Sequence, residues 1–454
     1  MNIDTIMQSI KRIHMIGIGG SGMFPIVQIL QKAGYIISGS DNNEGLIIDT
    51  ERAMGIEVVM EQRAENITAD IELVVYSAAI AKTNPELAAA LQKGLPTVER
   101  SELLGYITRQ YSNCICVAGT HGKTSTTAML TQILLEAGLD PSAVIGGKLP
   151  VIGGYGRSGN SDVMTCEACE YSNTFLQLAP DVSIILNIDE DHLDFFKTME
   201  NLIESFRKFA ASTTKCLIIN GDDENSRTAV KGLEKRVVTF GFDVDNDYTA
   251  RNIERLSPMH TRFELANRGE VLCRLDLHVP GQHQILNAVA ACAAAIEVGT
   301  APENLNEGLS HFRGAGRRFE VLGERNGVTF VDDYAHHPAE VAATLKAAVN
   351  MGYKKVWAVH QPFTYSRTAM LLDDFAQALA IADHVVMSEI MGGREENTYN
   401  IYTKDLAAKI DGAVWFKGFD EIAEYVTENA QPGDLVITMG CGDVYKCAHK
   451  MLDK

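Results

Sequence analysis

The sequence predicts an α/β chain of several domains built on mostly parallel sheets, and three observations carry that prediction. Its 454 residues exceed one ordinary core and suggest two to four domains. Short apolar runs alternate with helical stretches along most of the chain. Two of those runs discharge into glycine turns that open helices, as strands do when they feed crossover helices. No internal repeat or low-complexity tract interrupts the pattern.

The first element is an apolar run at 12–16, followed by Gly17-Ile18-Gly19-Gly20-Ser21-Gly22, a helix reaching Gly34 and a second strand ending at Asp41. This is a complete GxGxxG fingerprint in a βαβ setting. Its physical content is a tight turn, a close backbone approach to a diphosphate, and a carboxylate for a ribose or base. The pattern does not distinguish NAD from a UDP-sugar. Residues 73–80 read as another strand ending in small residues, Ser77 among them, and Asn84-Pro85 opens the next helix. The polar patch at 111–113 is the first candidate boundary.

A buried strand at 114–118 then runs into Gly119-Thr120-His121-Gly122-Lys123-Thr124-Ser125, with a helix expected over 125–138. Strand, glycine turn and helix N-terminus make a phosphate cradle, because free N–H groups and the helix dipole both favour anions. Lys123 can reach outer phosphates and the Thr124 hydroxyl can ligate Mg2+. The spacing departs from GxxxxGK[ST], since Val117 stands where the first glycine would be.

Residues 162–171 form a strand running into Glu167 and Glu170. The nearly pure apolar run at 182–188, as expected of a strand covered on both faces, discharges into Asp189-Glu190-Asp191-His192-Leu193-Asp194. Such carboxylates repel one another unless a cation sits among them. Further strands are expected at 216–220 and 237–241, and His283 and Asn287 lie where an alanine-rich helix opens. Residues 313–319, with Gly314, Gly316, Arg317 and Arg318, form the second candidate boundary. The strand–helix alternation then restarts, with strands expected at 328–331, 356–359, 385–387, 414–416 and 435–439. Two of their ends are polar: Asp332 to His337, and Gln361 to Thr368. Adjacent His336 and His337 rarely offer ligands on one side, so a substrate-contacting or structural role is expected of them.

Composition narrows the classes. Forty basic against 59 acidic residues leave a net charge of −19, which argues against a nucleic-acid surface. An anionic ligand therefore needs a locally basic site. No apolar run reaches transmembrane length and the start lacks a signal-peptide pattern, so a cytoplasmic protein without a membrane partner is expected. The nine cysteines read as reduced thiols, most of them buried. Cys166 and Cys169 match CxxC, but no second pair completes a zinc site.

In their order, these motifs resemble the Mur ligases of peptidoglycan synthesis over nearly the whole chain. The resemblance rests on HMIGIGGSGM (14–23), SGSD (38–41), GTHGKTS (119–125), EDHLD (190–194), GQHQILNA (281–288), GAGRRFE (314–320), DDYAHHPAE (332–340) and YSRT (365–368). It implies three domains: a Rossmann-like domain for a UDP-sugar (1–111), a central P-loop-type ATPase with a mostly parallel sheet (112–316), and a C-terminal Rossmann-like domain (317–454). The implied reaction is ATP- and Mg2+-dependent joining of L-alanine to the carboxylate of UDP-N-acetylmuramate through an acyl phosphate, by a monomer or weak homodimer. A family relative that attaches a preformed tripeptide to the same sugar is the close alternative, and an NAD-dependent oxidoreductase the remote one.

By the same resemblance, Gly119 to Ser125 hold ATP, and Thr124, Glu167 and His192 hold Mg2+ or the transferred phosphate. His283 and Asn287 match the adenine side, and Arg318 and Asp332 meet ATP. Gly17, Gly19, Gly20, Ser21, Gly22, Asp41 and Ser77 serve the UDP-sugar. Tyr334, His336 and Arg367 lie near the muramyl carboxylate and the amino acid. His192 and His336 are both candidates for the general base. Two segments depart from the family pattern: Glu167-Ala168-Cys169-Glu170-Tyr171-Ser172, and Phe363-Thr364, where a histidine and an arginine are usual. Arg367 is therefore expected to carry more of the carboxylate recognition.

Overall fold

The computed structural model describes residues 2–393 and 395–453, without the side chains of 193 and 194, so Asp194 of the acidic cluster lies outside the described residues. The chain divides into two compact units: Met1–Ile253 with Phe263–Asp276 and Ile285–Phe312, and Arg313–Lys454 with Glu254–Arg262 and Leu277–Gln284. Among the described residues no helix is long and apolar enough to cross a membrane.

The first unit holds two sheets. One has five parallel strands in the order Glu57–Met60, Ile36–Asp41, Arg12–Ile16, Leu73–Tyr76, Thr97–Glu99. The chain departs from Arg12–Ile16 in both directions, so the Gly17 turn sits where the strand order reverses, at the usual ligand crevice of an open α/β sheet. The second sheet has ten strands, and its interior strand Asn113–Ala118 is buried along nearly its whole length. It pairs in parallel with Val163–Glu167 on one side and Val182–Ile185 on the other. All three strands therefore deliver their C-terminal ends, with Gly119, Glu167 and the 189–192 segment, to one edge.

The helix Lys123–Glu136 starts two residues earlier than the sequence pattern suggests, and every residue from Thr124 to Leu134 is buried. Two of its threonines manage that burial by bonding locally: Thr127 Oγ1 donates to Lys123 O (2.8 Å) and Thr131 Oγ1 to Thr127 O (2.7 Å). The helix Leu305–His311 crosses it at Gly308, where an added Cβ would lie 2.5 Å from the Ile133 Cα.

The second unit is a six-stranded sheet ordered Glu320–Arg325, Val328–Asp333, Leu435–Met439, Val356–His360, His384–Ser388, Val414–Phe416. Only the first pairing is antiparallel. That edge strand escapes the sequence pattern because it is largely exposed and carries Glu320, Glu324 and Arg325 rather than an apolar run.

Gly308→Ala tests the crossing, because helix propensity and packing predict opposite signs. Propensity alone favours alanine by about 1 kcal/mol, whereas overpacking costs about 1–3 kcal/mol. Urea unfolding should show net destabilisation.

Candidate active site

The phosphate cradle is built by backbone constraints before any charge is considered. Gly119 has φ +142° and Gly122 φ +87°, and a Cβ on Gly122 would stand 2.6 Å from the Asn287 Oδ1. Both positions therefore require glycine. The loop is tied to the exit of Val182–Ile185: the Thr120 N–H donates to Asn187 O (3.0 Å), the His121 N–H to Asn187 Oδ1 (2.8 Å), and the Asp189 N–H to Thr120 Oγ1 (2.9 Å). Asn287 thus packs against the loop.

Lys123 projects into this loop. Its ammonium donates to Gly119 O (2.5 Å), Thr120 O (3.1 Å) and both oxygens of Glu170 (3.1 and 2.9 Å). The Glu170 side chain is only 1% exposed. Burial disfavours a charged lysine, but the Glu170 carboxylate outweighs it and holds Lys123 above the ordinary lysine pKa. The lysine is fully charged at neutral pH.

Around this pair stand the candidate metal ligands. The Thr124 hydroxyl donates to Glu167 Oε1 (3.1 Å), and the Gly146 N–H donates to Oε2 (2.7 Å), which fixes the carboxylate over the cradle. His192, at φ +56°, brings Nε2 to 3.9 Å from Glu170 Oε1 and 3.7 Å from Asp191 Oδ2, with the Tyr171 ring centroid 4.8 Å from its own. Hydroxyl and carboxylate oxygens suit Mg2+, which keeps several waters and takes the rest of its shell from substrate phosphates. Among the described residues no three His, Cys, Asp or Glu side chains converge as a ready-made metal cage. Among the described residues no cysteine is in a disulfide, Cys166 and Cys169 included.

The N-terminal glycine loop is wired differently. Gly17 adopts φ +77°, and the Gly19 N–H donates to Asp41 Oδ2 (3.0 Å). Asp41 Oδ1 accepts from the N–H groups of Asn42 (2.8 Å) and Asn43 (3.0 Å). Ser77 Oγ would lie 3.9 Å from a Cβ at Gly17. A cavity lined by Ser21, Gly22, Arg100, Gly146, Glu167 and Cys169 connects this loop with the carboxylate over the cradle.

Arg100 is the residue that sequence reasoning missed. Its guanidinium Nη1 would be 3.3 Å from a Cβ at Gly22, and among the described residues its side chain has no hydrogen-bond or ion-pair partner. The available signal was its position, directly after the parallel strand Thr97–Glu99 and so at the crevice edge.

In the second unit the polar strand ends gather a separate group. Asp332, 1% exposed, accepts from Arg317 Nε (2.8 Å) and the Thr438 hydroxyl (2.6 Å). Burial nonetheless raises its pKa. Arg317, not Arg318, is its partner, and the Arg317 guanidinium also lies over the rings of Tyr334 (5.0 Å) and Tyr445 (4.8 Å). Arg318 lies over Tyr334 at 4.9 Å. Burial pushes neighbouring Asp333 up to about 6, although it accepts from the Phe319 and Ala335 N–H groups. Arg367 sits in the helix Tyr365–Met370, whose N-cap is Thr364, its Oγ1 accepting from the Arg367 N–H (3.4 Å). The departure at 364 thus has a structural use. Across this end lies Cys441, its thiol pushed up to about 12 by burial despite nearby Arg367. His283 folds back over Gly281, whose added Cβ would meet the ring at 2.5 Å.

These features, a lysine-bearing phosphate loop with acids on the adjoining strand ends and a second glycine loop sharing a cavity with them, define a nucleotide-using α/β enzyme. Residues 12–112 match the catalytic domain model of the Mur ligase family, 117–295 the Mur ligase middle domain, and 317–442 the Mur ligase glutamate ligase domain. The chain belongs to the Mur ligase family. It is 45% identical over 448 residues to the UDP-N-acetylmuramate–L-alanine ligase of Agathobacter rectalis, covering 97% of this chain and 98% of that one. It is 41% identical to the enzyme of the same name from Caldanaerobacter subterraneus, covering 100% and 99%. Among solved structures, it superposes on the UDP-N-acetylmuramate–alanine ligase of Thermotoga maritima with a TM-score of 0.82 at 25% identity, covering 97% and 98%. The murein peptide ligase of Psychrobacter arcticus shares the fold, with a TM-score of 0.76 at 24% identity and 98% of each chain covered.

A double-mutant cycle tests the Lys123–Glu170 pair. Lys123→Met leaves a buried carboxylate without its partner and should cost about 3–5 kcal/mol in urea unfolding. Adding Glu170→Gln should recover most of that loss. Additive losses would mean that the two side chains do not act as a pair.

Proposed function

We propose that this chain joins L-alanine to the carboxylate of UDP-N-acetylmuramate, converting ATP to ADP and phosphate through an acyl-phosphate intermediate, in the cytoplasmic phase of peptidoglycan synthesis. The observation that carries the reading is full-length similarity, 45% over 97% of the chain, to an enzyme of that name. The cavity running from the N-terminal glycine loop to Glu167 supports it, because it gives a nucleotide-sugar's acid end a route toward the cradle.

Residues 1–111 hold the UDP-sugar, 112–316 hold ATP, and 317–454 serve the amino acid. A carboxylate is a poor acyl donor, so its oxygen first attacks the γ-phosphorus of ATP and ADP leaves. Catalysis of that step is positioning and charge neutralisation. Lys123 presents its charge to the transferring phosphoryl group, and the N–H groups of the helix start, Gly122 to Ser125, receive the remaining phosphate oxygens. Arg100 faces the acidic substrate from the other side of the cavity. Thr124, Glu167 and His192 hold Mg2+, which supplies further neutralisation of the phosphates. Arg367 takes the amino-acid carboxylate in a bidentate fork that a lysine would not reproduce.

Phosphate release with a set of acceptors tests the reading. UDP-N-acetylmuramate and ATP with L-alanine should give the highest kcat/KM. Glycine, lacking one methyl group, should be poorer by roughly 10–200-fold and still be used. The L-Ala-γ-D-Glu-diamino-acid tripeptide should give no product, and preference for it would reassign the chain to the tripeptide ligases.

Glu167→Gln should raise the Mg2+ concentration needed for half-maximal rate. An unchanged Mg2+ dependence would remove Glu167 from the cation site.

A further inference from the structure

His336 is held by one of its two ring nitrogens only. Nδ1 lies 3.0 Å from the backbone carbonyl of Tyr334 and 3.1 Å from Glu340 Oε2. Both neighbours are acceptors, a carbonyl by nature and a carboxylate when ionised, so Nδ1 must carry the proton. Neutral His336 is then the Nδ1–H tautomer, and its lone pair is at Nε2, for which no partner appears among the described residues. The ring keeps 20% of its side-chain surface exposed, so that lone pair is reachable.

Glu340 is itself fixed. It is the third residue of the helix Pro338–Val349, and its Oε2 accepts the backbone N–H groups of His336 (3.1 Å) and His337 (3.3 Å) in a capping box. One carboxylate oxygen therefore closes the helix start and orients the imidazole. The Tyr334 carbonyl shares Nδ1 with Glu340, and the other groups about the ring do not hold it. Tyr334 meets it edge-on at 5.3 Å, with Arg317 and Arg318 over the tyrosine's own ring. His360, buried and held neutral with its pKa near 4, spends its Nδ1 on Met439 O.

We propose that Glu340 is a positioning residue, which sets the His336 tautomer so that Nε2 accepts the proton of the incoming ammonium group. This rests on the ligase reading above. In the step, an ammonium N–H bond breaks with its electron pair remaining on nitrogen, and the proton bonds to Nε2. The freed pair forms the C–N bond at the acyl phosphate, the C–O bond to phosphate breaks with its pair on the departing phosphate, and that phosphate takes the second nitrogen proton, leaving a neutral amide. Of the two histidines that sequence alone left open, His336 is the one whose free nitrogen is an acceptor. The Nε2 of His192 instead faces two carboxylates.

The test uses the full-length chain and Glu340→Ala, which takes the carboxylate away from Nδ1 together with the cap, so that a second acceptor separates the two losses. With L-alanine, kcat should fall at least tenfold while KM changes less than threefold. Hydroxylamine is uncharged at neutral pH and needs no proton removed before attack, so its ATP-dependent hydroxamate formation should fall less than threefold. Equal losses with both acceptors would reduce Glu340 to a helix cap and overturn the proposal. A second measurement is independent of the assigned reaction: nitrogen-15 NMR of histidine-labelled chain, with the His336 signal assigned from His336→Gln. Wild type should show Nδ1–H as the neutral tautomer, and Glu340→Ala, which leaves the Tyr334 carbonyl as the remaining Nδ1 acceptor, should mix in the Nε2–H form. Wild-type protonation at Nε2 would defeat the proposal even in an active enzyme. If no acceptor is ligated while the tautomer is as stated, the ligase reading fails and the orienting role of Glu340 stands.

Discussion

The contact between the Lys123 ammonium and the Glu170 carboxylate organises the phosphate site. A chain with a net charge of −19 repels a nucleotide at long range, so attraction must be generated locally. Burial alone disfavours a charged lysine here. Glu170 keeps it charged, and Gly119 O and Thr120 O hold the ammonium back against the loop. A buried pair of this kind is weak evidence for stability, because desolvation offsets much of the Coulomb attraction. Its value is that a full positive charge waits in a partly dry site, where it interacts more strongly than in water.

The two glycine loops of the first unit use one backbone device with different wiring. Both follow a parallel strand, open a helix and require left-handed backbone, at Gly17 and Gly122. The N-terminal loop is held by the Asp41 carboxylate, which accepts the Gly19 N–H, and contains no cation of its own; Arg100 comes from a different strand end. The central loop is held by the neutral Asn187 amide and carries Lys123 within it. A diphosphate that is only bound can be served by N–H groups and a neighbouring guanidinium. A phosphoryl group that is transferred needs a charge placed against it.

Much of this architecture was readable in the residues. Parallel strands buried on both faces, such as Val182–Ile185 and Leu435–Met439, announce themselves as apolar runs, and glycines with positive φ mark their exits. The segments that were missed obey other rules. Ser142–Leu149 and Gly154–Arg157 pair as an antiparallel, glycine-rich hairpin, and Glu320–Arg325 is an exposed edge strand. Their pairing is decided by tertiary neighbours rather than by a hydrophobic period. The candidate site divides in the same way. Lys123 and Thr124 stand within a local motif, whereas the Glu170 contact spans 47 residues and Arg100 joins its cavity only through the packing of two sheets. Arg317 and Arg318 are adjacent and alike in sequence, and only the fold selects Arg317 for Asp332.

The order in which the cradle's parts leave the ribosome has a consequence of its own. The loop at 119–125 is synthesised early, but its strand has no parallel neighbours until 163–167 and 182–185 have followed, and Asn187 is needed to tie it. Gly122 then packs on Asn287, more than a hundred and sixty residues further on. Parallel pairings of such separation form slowly, because loop-closure entropy is lost before contacts compensate for it. A nascent chain released before the helix Gln282–Glu297 has emerged therefore carries the whole phosphate motif without the walls that shape it. Until that helix packs, Gly122 lacks its Asn287 neighbour, so nucleotide capture by a growing chain should report closure of this wall rather than translation of the motif.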